Sequence, residues 1–172
     1  MVNRRFRNRP GGRRALRAGL LALGVAALPA AALAADSCAV PGNLAQFRAQ
    51  MLAGINKKRA EKGVAPLTVD KRLQDAAQSQ ACDDAVKGIY SHIGLDGSKL
   101  PTRLKRRGYP AAGALENTGM GNDDAARIVA FWMTSPFHRG NMLNPKVSQA
   151  GIGRARGSNG NDFWVVDFGR GK

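Results

Sequence analysis

The chain has 172 residues and a formal net charge of +15, which on its face suggests a polyanion-binding protein. Seven of its 27 basic residues fall within the first 17 positions, however, and residues 35–172 carry 20 basic and 12 acidic side chains, a net charge of +8. Much of the apparent nucleic-acid signature thus belongs to the N-terminal segment, and the moderate remainder reads as a basic surface that suits loose contact with anionic envelope polymers or lipid headgroups before any specific polyanion site, while 138 residues suffice for one domain with a real core.

The arginine-rich start is followed by AGLLALGVAALPAAALA, an uncharged apolar run closing on Ala32-Leu33-Ala34. A basic segment, a short apolar segment and a small-x-small end form the pattern of a secretory signal peptide over residues 1–34, with cleavage after Ala34. The expected location is the periplasm or the external medium, with no transmembrane segment in the remainder. Residues 35–42 then form an N-terminal arm, and residues 43–172 form one domain. Two cysteines are present, Cys38 and Cys82. Outside the cytoplasm thiols oxidise, and two cysteines allow one pairing, so a Cys38–Cys82 disulfide is expected to tie the arm to a helix.

Asn43 stands where a helix cap is needed, and Leu44, Phe47, Met51, Leu52 and Ile55 follow the helical period up to a stop at Gly63. Residues 64–67 read as an extended connector. Asp70 opens a second helix ending at Gly88, with Leu73, Ala76, Ala77, Ala81 and Ala85 facing inward. So many alanines on one face imply close approach of a neighbouring element. The loop over residues 89–97 carries His92. A short basic helix over about residues 100–107 stops at Gly108. Residues 115–118 read as a short strand. Asn122 is the expected cap of a further helix, with Asp123 and Asp124 in its first turn and Ile128, Val129 and Trp132 as its stripe. Ser135 and Pro136 read as the cap and first residue of a short helix carrying His138. The period then changes: residues 149–157 and 161–169 flank Ser158-Asn159-Gly160 as an antiparallel hairpin. In its second strand Phe163, Val165 and Asp167 face one way, and Trp164, Val166 and Phe168 the other. Both faces are largely apolar, which calls for a sheet covered on both sides by helices.

The sequence contains no nucleophile elbow, zinc-protease helix motif, phosphate loop or dinucleotide fingerprint. Past residue 34 it has two glutamates: Glu61, set among lysines and an arginine, and Glu116, isolated in an uncharged stretch. His92, Glu116 and His138 are therefore the ionisable groups that stand out. Two imidazoles and a carboxylate are donors that suit a divalent metal such as zinc, or an acid–base set. They are equally compatible with loop histidines satisfied by the main chain. Ser135 and His138, three residues apart across a cap, do not read as a nucleophile pair.

Four segments resemble the CAP superfamily of cysteine-rich secretory, antigen 5 and pathogenesis-related 1 proteins, and most of all its small bacterial secreted branch. They are INKKRAEKGVAPLTVDKRLQDAAQSQA, YSHIGLDG, GYPAAGALENTGMG and WMTSPFHRGNML, the last leading into AGIGRA and FWVVDFG. The first carries the pattern N-x-x-R-x-x-x-G-x-x-x-L on Asn56, Arg59, Gly63 and Leu67. The resemblance spans about residues 43–169. It implies an α+β fold, a three-layer α-β-α sandwich with a mainly antiparallel central sheet and an open cleft, and it implies that His92, Glu116 and His138 meet there. Ser91, Asn117, Ser135 and Arg139 are the neighbouring candidates for binding, and His92 and His138 the candidates for metal. The sequence departs from part of the family in one respect: many eukaryotic members place a second glutamate three residues after the helix tryptophan, where this chain has Ser135 after Trp132. The functional expectation is a monomeric binding module for a lipid- or sterol-like ligand or an anionic envelope polymer. The alternative is a peptide or ester hydrolase that is metal-assisted or driven by Glu116 and histidine.

Overall fold

A computed structural model describes residues 38–110, 112–122 and 124–170. The proposed leader and Asp123 lie outside the described residues. Among the described residues, five helices sandwich a four-stranded sheet.

Helix α1, Leu44–Ala60, buries Phe47, Met51, Ile55 and Arg59, one residue per turn on a single stripe. Asn43 precedes it but makes no capping hydrogen bond. Its side chain instead accepts from Arg154 Nη1 at 3.3 Å, and that guanidinium also stacks 4.5 Å from the Phe47 ring centroid. The connector after α1 ends in a two-residue strand, β1, Thr68–Val69. Helix α2, Lys71–Lys87, is capped by Asp70, whose carboxylate accepts from Arg72 N at 2.8 Å and Leu73 N at 3.4 Å. It ends at Gly88, whose φ of 72° is the left-handed stop that glycine adopts without steric cost.

Helix α3 is Leu100–Arg106 and strand β2 is Leu115–Gly121, three residues longer than the sequence pattern indicates. The extension runs through Gly119 and Gly121, residues that carry no strand signal of their own and are held by pairing with Trp164 and Asp162. Helix α4, Ala125–Thr134, is capped by Asp124, which accepts from Arg127 N at 2.9 Å. The expected cap at Asn122 is thus displaced by two residues, because Asp124 is the extended residue immediately before the first helical turn. Helix α5, Pro136–Met142, starts at Ser135, whose hydroxyl accepts from His138 N at 3.5 Å. Strands β3, Gln149–Arg156, and β4, Asp162–Gly169, form the C-terminal hairpin.

The strand order is β1-β3-β4-β2, antiparallel except for the short β1–β3 pair. Trp164, Val166 and Phe168 turn toward α1 and α4, where they join Phe47, Met51, Ile55, Ile128 and Trp132. Phe163 and Val165 turn toward α2 and pack on Ala77, Ala81 and Ala85. The alanine face of α2 has a partner of matching smoothness: a Cβ added at Gly153 would lie 2.3 Å from Ala77 O, and one at Gly151 would lie 2.1 Å from the Gln74 nitrogen. The helix main chain rests almost directly on the strand.

Cys38 is disulfide-bonded to Cys82 of α2, and Ala39 bridges to Arg156 of β3. No helix among the described residues is long and apolar enough to cross a membrane.

Candidate functional site

Strand β2 is an edge strand, and the residues singled out in the sequence gather along it. Glu116 turns toward the α2/α3 layer. Its Oε1 lies 2.8 Å from His92 Nδ1, and its Oε2 is paired with Arg103 of α3. Arg103 Nη1 also donates to the carbonyls of Ser98 at 3.0 Å and His92 at 3.3 Å, fixing the loop that presents His92. Both Glu116 oxygens are therefore engaged, and the residue is 8% exposed. The carboxylate holds His92 above the usual imidazole pKa, chiefly through the hydrogen bond.

Asn117, the next residue, turns to the other face. Its Nδ2 donates to His138 O at 3.1 Å and its Oδ1 accepts from Asn141 Nδ2 at 2.8 Å, so it anchors α5 to the sheet. The His138 ring packs on Trp132 with centroids 5.8 Å apart, and its Nδ1 is buried without a hydrogen-bond partner among the described residues. Burial, and then the charge of His92, pull its pKa below the ordinary value. The two imidazoles thus approach the same edge from opposite layers of the sandwich.

Ser91, Ser135 and Arg139 sit beside the histidines and make local main-chain contacts. Ser91 Oγ accepts from Ile93 N at 3.0 Å, Ser135 caps α5, and Arg139 Nη1 donates to Met133 O at 3.0 Å.

Two buried acids complete the α2-side face, and sequence reasoning did not place them in the site. Asp167 stands directly across from Glu116 in the β2–β4 register and is fully buried. As an ionised acceptor it finds no donor on either oxygen among the described residues. Burial and the Glu116 charge raise its pKa well above the carboxylate range, which favours its protonated form. Asp84 accepts from Gln80 Nε2 at 2.8 Å and Thr118 Oγ1 at 3.1 Å, and burial pushes its pKa up to about 6. The signal for Asp167 was available: between Phe163 and Phe168 it is the one charged residue in an otherwise apolar run.

As a metal centre the donor set is short. His92 Nδ1 and both Glu116 oxygens are committed, leaving two imidazoles where a catalytic zinc takes three protein ligands. Among the described residues no group of three or more His, Cys, Asp or Glu is arranged to hold a metal ion.

Next to His138 the edge opens into a cavity of about 360 Å³, lined by Thr118, Gly119 and Met120 of β2, by Ile128, Phe131 and Trp132 of α4, and by Tyr90 and Trp164. Phe131 is 67% exposed and Tyr90 55%, so large apolar groups stand open to solvent at its mouth. A larger cavity of about 480 Å³ between α2 and α3 is lined mainly by polar and charged groups, among them Asp96, paired with Arg106, and Asp83, which accepts from Leu95 N at 3.0 Å.

Comparison with known proteins agrees with this architecture. The CAP, cysteine-rich secretory protein family profile matches residues 52–168. The uncharacterized protein YkwD of Bacillus subtilis is 26% identical over 128 residues, covering 74% of this chain and 49% of the relative. The chain therefore spans about half the length of the curated relative it matches. Among solved structures, an extracellular protein containing an SCP domain from Bacillus anthracis superposes with a TM-score of 0.66 at 24% identity, covering 74% of this chain and 41% of that one. An outer surface protein of Borrelia burgdorferi gives 0.63 at 23% identity, covering 71% and 90%. A cysteine-rich secretory protein of Staphylococcus aureus gives 0.59 at 21%, covering 72% and 38%. At these identities the structures establish the fold alone. With the family profile spanning most of the described residues and the α-β-α sandwich in place, the chain belongs to the CAP, or cysteine-rich secretory protein, family.

Proposed function

We propose that this protein is an exported binding module that holds a small apolar or lipid-like ligand in the groove beside His138. The observation that carries this reading is the cavity of about 360 Å³, whose walls are Tyr90, Met120, Ile128, Phe131, Trp132 and Trp164, with Phe131 two-thirds exposed at its rim. Isolated exposed apolar residues are common on protein surfaces; several of them converging on one concave site mark a ligand groove. The leader over residues 1–34 and the Cys38–Cys82 disulfide support export, with cleavage after Ala34. The net charge of +8 past that point supports a working place beside anionic envelope components.

The test is titration of residues 35–172 with a fluorescent long-chain fatty acid, wild type beside Phe131→Asp and His92→Ala. Saturable binding, weakened at least tenfold by Phe131→Asp and unchanged by His92→Ala, is expected. Absence of saturable binding removes the apolar-ligand reading.

A hydrolase is the second reading, favoured by one observation: His92, Glu116 and Asp167 form a continuous acid–base chain, with the neutral acid buried behind the carboxylate. A metal-free version, in which His92 accepts a proton while Glu116 stabilises the imidazolium, uses groups already in contact. A metal-assisted version needs a third protein ligand that these residues do not supply. Turnover of peptide or ester substrates that is abolished by Glu116→Gln would promote this reading over the first.

A further inference from the structure

The outer side of β3, bordered by the two-residue β1, and the outer side of β2 are finished differently. In an antiparallel ladder the main-chain groups of successive residues point alternately toward the partner strand and away from it. On β3 the even-numbered residues point away from β4, and most of their outward groups are met. Asp70 N donates to Ala150 O at 3.1 Å, and Arg48 Nε donates to Ile152 O at 2.7 Å. Gln78 brackets Arg154, giving Nε2 to its carbonyl at 2.8 Å and taking its N–H at 3.2 Å. Arg156 N donates to Ala39 O at 2.7 Å. The short β1, Asp70, side chains and the N-terminal arm thus cover much of that side.

The register carries the alternation across β4 to β2, so that Glu116, Thr118 and Met120 direct their N–H and C=O groups outward. The carbonyl of Glu116 confirms this phase, since Asn141 Nδ2 donates to it from outside the sheet at 3.1 Å. Beyond it, no hydrogen bond among the described residues reaches the outward main-chain groups of Thr118 or Met120. Both residues line the apolar cavity. The unsealed stretch of edge is therefore the floor of the groove, not bare surface elsewhere on the molecule.

We infer that this groove takes an extended polypeptide segment, added to β2 as a fifth strand along Thr118–Gly119–Met120, with an apolar side chain seated between Phe131 and Trp164. The occupant follows from the floor. An acyl chain fills the apolar walls but leaves alternating N–H and C=O groups unmet, whereas a polypeptide main chain matches both their spacing and their polarity. A strand added there would run about 4.8 Å from β2. His92 lies on one side of this edge and His138 on the other. The inference rests on the proposed reading that the groove binds apolar groups, and adds a second class of occupant that competes with the lipid-like ligand for the same walls.

The experiment uses residues 35–172 and two soluble blocked peptides, acetyl-Thr-Phe-Thr-Phe-Thr-amide and the same peptide N-methylated at all five residues, so that none of them keeps an N–H to reach β2 in either strand direction. Binding is followed by titration and by hydrogen exchange at individual amides. Saturable binding of the first peptide is expected, with exchange at Thr118 and Met120 slowed at least tenfold and with at least tenfold weaker binding of the methylated peptide. Met120→Pro removes one outward N–H at an edge position where proline is tolerated, and is expected to weaken peptide binding at least tenfold. Met120→Ala, which keeps that N–H, controls for the side chain, and thermal melts of both variants establish that the fold is kept.

Equal binding of the two peptides, no peptide binding, or unchanged exchange at Thr118 and Met120 would each overturn the strand-addition inference. If the fluorescent fatty acid still binds in that case, the apolar groove stands. If neither probe binds, both readings fall.

Discussion

Glu116 and Asp167 lie directly opposite each other on β2 and β4 as a non-hydrogen-bonded pair, the arrangement that brings side chains closest across a ladder. One partner is tied to Arg103 and His92, and the other has no cation of its own among the described residues. A protonated Asp167 removes the repulsion between the two carboxyl groups.

This pair makes a pH prediction. The folded-state pKa of Asp167 is raised above its unfolded value of about 3.9. Its contribution to stability is therefore fully present below about pH 4 and is lost as the pH rises through the folded value. Asp167→Asn keeps the shape and removes the ionisation. The stability difference between mutant and wild type is expected to move in the mutant's favour between about pH 4 and pH 8, in urea unfolding at both values. Glu116, Arg103 and His92 remain in both proteins, so the comparison isolates Asp167. Parallel pH profiles would mean that Asp167 is ionised like any surface acid.

The two imidazoles are predicted to titrate on opposite sides of 6.5 in NMR spectra, His92 above and His138 below. Their stability effects oppose each other. His92 contributes below its unfolded pKa and loses that contribution as the pH rises through its folded value; His138 contributes above its unfolded pKa and loses it as the pH falls. Glu116→Gln is expected to lower the His92 midpoint, because the hydrogen bond from the carboxylate is the largest cause of its shift. An unmoved His92 midpoint in that variant would show that the pair does not form in solution.

Gly153→Ala is expected to destabilise the fold by about 3 kcal/mol, far more than one methyl group does on an open strand. The new Cβ meets the main chain of α2 at Ala77, and a helix backbone cannot rotate out of the way as a side chain would. Gly140→Ala, where nothing lies within 4 Å, serves as the control and should change thermal stability little.

Arg59 is fully buried, and its guanidinium donates to the carbonyls of Ala65, Met142, Asn144 and Val147 at 2.7–3.0 Å. Arg59→Met retains the stem but leaves those carbonyls unmet, at a cost on the order of 3 kcal/mol or more, measurable by denaturant unfolding. A change below about 1 kcal/mol would mean that water replaces the guanidinium.

The layer order, the C-terminal hairpin and the alternation of Phe163, Val165 and Asp167 against Trp164, Val166 and Phe168 could be read from period and composition, because both faces of that strand bury side chains. The short pair of Thr68 and Val69 with β3 could not, since two residues carry no period. Asn43 misled for a different reason: its cap chemistry is real, but Arg154, 111 residues away, takes the side chain. Around the site, Glu116 stood out as an isolated carboxylate. Arg103 was hidden among the other cations of its helix, and Asp84 and Asp167 gained meaning only when register and burial put them beside β2. A sequence shows which charges are lonely along the chain, not which are crowded in space.

The Arg59 contacts also bear on when the domain can fold. Arg59 waits for carbonyls at Met142, Asn144 and Val147, Arg48 for Ile152, and Ala39 for Arg156. A nascent chain that ends before residue 142 has none of these partners, so α1 and the arm lack their contacts to the C-terminal third until nearly the whole domain has been synthesised. Closure is thus a late event dominated by long-range contacts, and its rate is set by bringing the two ends of the sequence together and not by forming any one helix.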